Sequence, residues 1–177
     1  IGYDTAKNTV IEMVDRLRNT CESHARCNVV EVMGRHAGYI AIETGLALNA
    51  IGVAINEKPF DKEALYKRIK TMRDAGQRSF IVVVSEGLGA EFSEGLVKEI
   101  EENTGVEARF VRPAHIVRGG IPTLADRNFA SRSGYKAVVM DSIYNGDITK
   151  FIVSISPNIE LKVNNMDDVI YNEGKRV

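Results

Sequence analysis

VVEVMGRHAG, residues Val29 to Gly38, is the stretch on which the fold turns. Its apolar run, Val29 to Met33, ends abruptly in Gly34, Arg35, His36, Ala37 and Gly38. That pattern reads as a buried strand running into a tight turn that opens a helix. In open α/β sheets, ligands sit in the crevice at the carboxyl ends of the strands. Arg35 at that edge offers a planar fork of donors to a phosphate or carboxylate. A helix starting near Ala37 would add unpaired N–H groups and the positive end of its dipole. A second stretch has the same character: His115, Ile116, Val117, Arg118, Gly119 and Gly120. Taken singly, each reads equally well as an ordinary strand-to-loop turn with a surface arginine. Together they favour anion binding.

Outward from there, helix and strand alternate. Tyr3 to Asn19 places Ala6, Val10, Met13, Val14 and Leu17 on one helical face, with Asp4 or Thr5 as cap and a polar loop from Glu22 to Arg26. Ala37 to Asn49 reads as a helix whose Ala41, Gly45 and Ala47 allow close packing on a sheet. A short strand spans Gly52 to Ile55. Asp61 caps a helix through Asp74, with Leu65, Ile69 and Met72 inward, and Gly76 stops it. Phe80 to Val84 is apolar without alternation, which marks an interior parallel strand. Phe92 to Asn103 is a helix facing inward through Leu96, Val97 and Ile100 and ended by Gly105. Glu107 to Val111 is a strand. Pro122 suits the first position of a helix reaching about Tyr144. Asn145-Gly146 is a turn, Phe151 to Ile155 a last strand, and the tail after Pro157 is weakly patterned. The fold class is α/β, with an open, mostly parallel sheet and helices on both faces.

The chain has 177 residues, which suits one domain or one and a fraction. A net charge of −1 gives no basic field for nucleic acid, so an anion site must be local. No apolar run is long enough to span a membrane, no signal peptide is visible, and a cytoplasmic location is expected. Cys21, His24 and Cys27 supply too few ligands for a zinc site. The two cysteines are expected to be reduced thiols, and no metal site is expected in this chain. The first residue is Ile rather than Met, so a fragment of a longer protein is expected. There is no Gly-x4-Gly-Lys-Ser/Thr loop and no Gly-x-Ser-x-Gly elbow. Gly87-Leu88-Gly89 begins a dinucleotide pattern, but Phe92 stands where its third glycine belongs. Glu86 at a strand end could act as an acid or base or accept from a sugar hydroxyl; alone, such a residue is more often a structural acceptor.

VVEVMGRHAG, the strand end FIVVVSEG, and HIVRGG followed by PTLADR closely resemble the C-terminal half of the 6-phosphofructokinase family. The opening GYDTAKNTVIEMVDRLRNT resembles the helix just after that family's catalytic aspartates. The resemblance runs from Gly2 to about Val153 and implies a Rossmann-like fold and a fructose 6-phosphate site. Met33, Gly34 and Arg35 match the segment lining the sugar phosphate and the transferred phosphoryl group. Arg35 matches the arginine that steadies charge on that group. Glu86 matches the carboxylate that accepts from sugar hydroxyls. His115 and Arg118, with Ile116 and Val117 between them, match the segment that holds the 6-phosphate. Arg26 and Arg109 match arginines that reach the 6-phosphate from a neighbouring subunit, which implies a homo-oligomer, a tetramer in the family.

The family's glycine-rich ATP loop and its Thr-Ile-Asp-Asn-Asp motif do not occur in this chain. ATP and Mg2+ are therefore expected to be bound mainly by another half of the protein, and this chain alone is expected to be inactive. The family's allosteric effector site is matched only in part. Arg18 matches one of its arginines. Asn49, Ala50 and Ile51 fall where Gly and an acidic residue are usual. Ala75 and Gln77 replace lysines, and of the run ending at Ser79 only Arg78 keeps a charge. Weak or altered effector control is expected. The resemblance divides the chain into a sugar-phosphate-binding core, residues 1–116, a crossover segment, 117–148, and a return strand and tail, 149–177. Alternatives are the same half of a pyrophosphate-dependent phosphofructokinase, a non-catalytic anion-binding domain, and an α/β domain without a phosphate site.

Overall fold

The computed structural model describes residues 2–143, 151–155 and 161–165. The chain divides into one compact unit from Gly2 to Ile121 and a second that begins at Pro122. In the first, strand and helix alternate as α1 (Tyr3–His24), β1 (Cys27–Val32), α2 (Tyr39–Ala47), β2 (Gly52–Ala54), α3 (Lys62–Asp74), β3 (Phe80–Ser85), α4 (Ala90–Thr104) and β4 (Ala108–Val111). Short 3-10 helices follow β3 at Glu86–Leu88 and β4 at Ala114–Gly119. The four strands form one parallel sheet in the order β2-β3-β1-β4.

Every residue of β1 and β3 is buried, because both strands are interior and covered on both faces. Side chains alternate across the sheet. Val29, Phe80, Val82 and Val84 share a core with Leu65 and Ile69 of α3 and Leu96 and Ile100 of α4. Val30, Val32, Ile81 and Val83 share the opposite core with Val10 and Val14 of α1 and Ala41 of α2. Helices thus cover both faces, as the sequence implied. The chain leaves β1 over one face through α2, and leaves the adjacent β3 over the other through α4. The two connections diverge at the carboxyl ends of β1 and β3, and a crevice opens there.

Several local expectations are corrected. α1 continues past Asn19 to His24, absorbing part of the expected polar loop, because buried Cys21 extends the apolar stripe one more turn. Neither Asp4 nor Thr5 caps α1; the cap is Gly2 in the left-handed region, and Asp4 lies inside the first turn, where it complements the dipole. α2 begins at Tyr39 rather than Ala37, and the Gly38 N–H donates to Glu57 Oε1 at 2.7 Å. That N–H is therefore satisfied internally rather than free for an anion. Met72 is 42% exposed, because the seam beside Ile69 is taken by Arg73, whose guanidinium donates to the Thr104 carbonyl at the end of α4. Asp61 does cap α3, accepting from the Ala64 N–H at 2.9 Å, and Gly105 ends α4 at φ +70°.

In the second unit, α5 spans Leu124–Ile143, so Pro122 lies ahead of the helix and not at its first position. β5 (Phe151–Ile155) pairs antiparallel with β6 (Leu161–Asn165). β6 falls in the stretch read as weakly patterned: Leu161 and Val163 alternate with Lys162 and Asn164, too short a period-two signal to stand out. The expected Asn145-Gly146 turn and the tail at 157–160 and from 166 onward lie outside the described residues.

Of the three small residues expected to seat α2 on the sheet, Ala41 and Gly45 are buried and Ala47 is exposed. A Cβ on Gly45 would stand 2.3 Å from Val53 Cγ2 of β2. Gly45→Ala is expected to destabilise the chain by about 1–3 kcal/mol through overpacking, and Val53→Ala in the same background should recover part of that loss. Denaturant unfolding of the two variants checks both.

Candidate functional site

The crevice at the switch point is a cleft of about 350 Å³ lined by Glu31, Val32, Met33, Arg35, Glu86, Arg112, Ala114 and His115. Its base is held by polar contacts between the ends of β1 and β3. The Ser85 hydroxyl donates to the Gly34 carbonyl at 2.7 Å, and the Gly34 N–H donates to Glu86 Oε1 at 3.2 Å. Gly34 adopts φ +140°, and a Cβ there would meet the Ala37 carbonyl oxygen at 2.5 Å. Gly87 is equally constrained: its Cβ would lie 2.6 Å from the Arg35 carbonyl oxygen. Gly34 thus lets its own turn close tightly, and Gly87 lets the second turn approach the first.

Arg35, Glu86, His115 and Met33 are therefore brought to one cleft from three separate segments. Arg118 joins them through its Nε, 3.4 Å from Met33 Sδ. Val117 turns the other way, 1% exposed in the core beneath α1 and α2, whereas Ile116 is 67% exposed. Arg35, Glu86, His115 and Arg118 are all exposed side chains, so a ligand could reach them without rearrangement of the core.

Arg26 and Arg109 do not reach this cleft. They stand at the amino edge of the sheet, where Arg26 Nε pairs with Glu107 Oε2 at 2.7 Å and Arg109 pairs with the same carboxylate. Arg26 first, then Arg109, holds the Glu107 carboxyl below the usual range. The length of β1, about 3.3 Å per residue, separates this edge from the cleft.

The remaining sequence candidates also gather at the amino edge. Arg18 donates to the Leu48 carbonyl at the end of α2, and Arg78 donates to the Glu22 and Ser23 carbonyls at the end of α1, at 3.1 and 3.2 Å. Both arginines thus close helix C-termini. Asn49 takes φ +49° just after α2, and Ala50 is half-buried. Ile51 is 8% exposed and hydrogen-bonds Ile81, its N–H donating at 2.8 Å. Ala75 ends α3, and the Gln77 side-chain amide donates to the Ser79 carbonyl at 2.9 Å.

Two charged cleft residues escaped the sequence reading. Glu31 is a buried carboxylate within the apolar run Val29–Met33, and Arg112 follows β4 and pairs with it at 2.7 Å. The signal was present in VVEV, where a lone charge interrupts a run too apolar to face solvent. A hydrogen bond from Arg112 to Glu31 raises the arginine's pKa further. Among the described residues, no cluster of three or more His, Cys, Asp or Glu is placed to hold a metal ion, and no helix is long and apolar enough to cross a membrane.

The sequence profile described as phosphofructokinase matches residues 1–140. The chain belongs to the phosphofructokinase family. It is 47% identical over 138 residues to ATP-dependent 6-phosphofructokinase 1 of Thermus thermophilus, an alignment covering 78% of this chain and 43% of that protein. Among solved structures, phosphofructokinase from Saccharomyces cerevisiae superposes with a TM-score of 0.81 at 25% identity, over 94% of this chain and 23% of that one. Pyrophosphate-dependent phosphofructokinase from Nitrosospira multiformis superposes with a TM-score of 0.70 at 21% identity, over 94% of this chain and 46% of that one, and shares the fold. The chain spans less than half the length of curated relatives it matches.

In this phosphofructokinase-family cleft, Gly34→Ala meets both a left-handed backbone and a hard contact. It is expected to destabilise the chain by about 1–3 kcal/mol and to disorganise the Ser85 and Glu86 contacts. Thermal unfolding measures the first effect, and loss of amide hydrogen-exchange protection at the residue 34 N–H the second.

Proposed function

We propose that this chain is the fructose 6-phosphate-binding, C-terminal half of an ATP-dependent 6-phosphofructokinase. The whole enzyme would transfer the γ-phosphoryl group of ATP to the 1-hydroxyl of fructose 6-phosphate, giving fructose 1,6-bisphosphate in glycolysis. The observation that carries the reading is the meeting of Arg35, Glu86 and His115 in one cleft at the switch point, with Arg118 against Met33 beside it. ATP is favoured as donor because the relative that is 47% identical is ATP-dependent, whereas the pyrophosphate-dependent neighbour shares 21% identity.

Phosphoryl transfer depends on positioning and on stabilising charge spread over the transferred group. Arg35, on the turn after β1, would supply cationic donors to that group as its charge develops. Glu86 would accept hydrogen bonds from sugar hydroxyls and so orient the acceptor. His115 and Arg118 would hold the 6-phosphate and set its distance from Arg35. Arg26 and Arg109, at the opposite edge, would serve the 6-phosphate of a neighbouring subunit in a homotetramer. ATP and Mg2+ would be held mainly by another part of the enzyme.

The purified chain is expected to bind fructose 6-phosphate in calorimetry, and Arg35→Gln or Arg118→Gln to weaken that binding at least several-fold. Lacking the nucleotide loop and the aspartate motif, it should release no ADP in a steady-state assay with ATP and fructose 6-phosphate. Heat on adding the sugar phosphate that is unchanged in both variants would point instead to an anion-binding domain of different purpose.

Weak effector control follows from the amino edge. Ala75 and Gln77 bring no cation, Asn49-Ala50-Ile51 brings no carboxylate, and Arg18 and Arg78 are engaged by helix ends. Kinetics of the complete enzyme with and without ADP and phosphoenolpyruvate should show little change in the fructose 6-phosphate KM; strong regulation by either would overturn this reading.

A further inference from the structure

Arg112 enters the cleft wall just past β4, beside Arg35, Glu86 and His115. It is aimed from behind. Glu31 accepts from Arg112 Nε at 2.7 Å and Nη2 at 3.4 Å, and from the Ser93 hydroxyl of α4 at 2.8 Å. The guanidinium also lies over the Phe110 ring, 4.9 Å from its centroid. Glu31 engages the Nε–Nη2 edge of the fork, so Nη1 is the end that it leaves unengaged.

The pair is lopsided. The Glu31 side chain is 7% exposed and the Arg112 side chain 40% exposed. A buried ion pair is a weak way to stabilise a fold, since apolar residues of like size often serve as well or better. An unpaired Glu31 in this wall would, in addition, repel an anion. Arg112 cancels that charge and turns a cation toward the cleft, already oriented by Glu31 and Phe110, so that binding costs little further ordering.

We propose that Arg112 is a further ligand-binding residue of the cleft, a donor aimed by Glu31 that contacts the phosphate-bearing end of the sugar phosphate next to His115. The proposal rests on the sugar-phosphate reading of the site. Its test is calorimetric titration of the full 177-residue chain with fructose 6-phosphate and with inorganic phosphate, comparing Arg112→Met and the double variant Glu31→Gln/Arg112→Met, with circular dichroism as the check on folding. The double variant removes both charges, so it separates contact with the ligand from mere neutralisation of Glu31. It is expected to bind both anions about tenfold more weakly than the parent chain, and Arg112→Met alone to bind more weakly still. A double variant that binds like the parent would overturn the role. Should the double variant lose its helical signal, Arg112→Lys decides, because it keeps Glu31 paired but forfeits the fork: a several-fold loss supports the role and unchanged affinity overturns it. A parent chain that does not bind fructose 6-phosphate, with Arg112 variants equally inert, would overturn the sugar-phosphate reading itself and Arg112's part in it.

Discussion

The lock between the carboxyl ends of β1 and β3 governs what lies above the sheet. Gly34 gives its carbonyl to Ser85 and its N–H to Glu86, so each turn is positioned by the other. The strands beneath are in register over their whole length, from Cys27 opposite Phe80 to Val32 opposite Ser85. The turns therefore inherit the rigidity of the core. Arg35 departs from one partner of the lock and Glu86 belongs to the other, so their separation is set by the sheet. A site built this way needs little reorganisation when charge shifts on a ligand, the condition under which fixed donors contribute most.

The architecture was legible because its two central strands are unusually uniform. FIVVV and VVEVM admit no solvent-facing side, which forces helices onto both faces and parallel pairing between them. Arg35, Glu86 and His115 were legible as a group because each follows a strand end, and parallel strands bring such ends to one edge. What the residues alone could not show was local. The start of α2 moved from Ala37 to Tyr39, and at α1 Gly2 stands where a side-chain cap was expected. Met72 looked inward by spacing, yet a long arginine covers the seam better by reaching a helix-end carbonyl. Arg112 was hidden for a different reason: VVEV marks Glu31 as a charge that must find a partner, but that partner lies far along the chain and spacing does not name it.

The sheet also sorts the arginines into two populations. At the carboxyl edge, Arg35, Arg112 and Arg118 crowd around a cleft. At the amino edge, Arg26 and Arg109 share Glu107, while Arg18 and Arg78 hold helix ends. The surface pairs at that edge contribute little to stability in water. Their partners nonetheless fix where each guanidinium sits, so an incoming anion would meet them already engaged.

Arg78 carries a consequence of that engagement. It bridges the start of β3 to the final turn of a helix 22 residues long. Drawing its guanidinium outward would strip the Glu22 and Ser23 carbonyls of their donor and let that turn fray. By reciprocity, anything that stiffens the end of α1 must disfavour an outside anion there, and by the same free energy. The last turn of α1 and the position of one guanidinium are thus tied to each other.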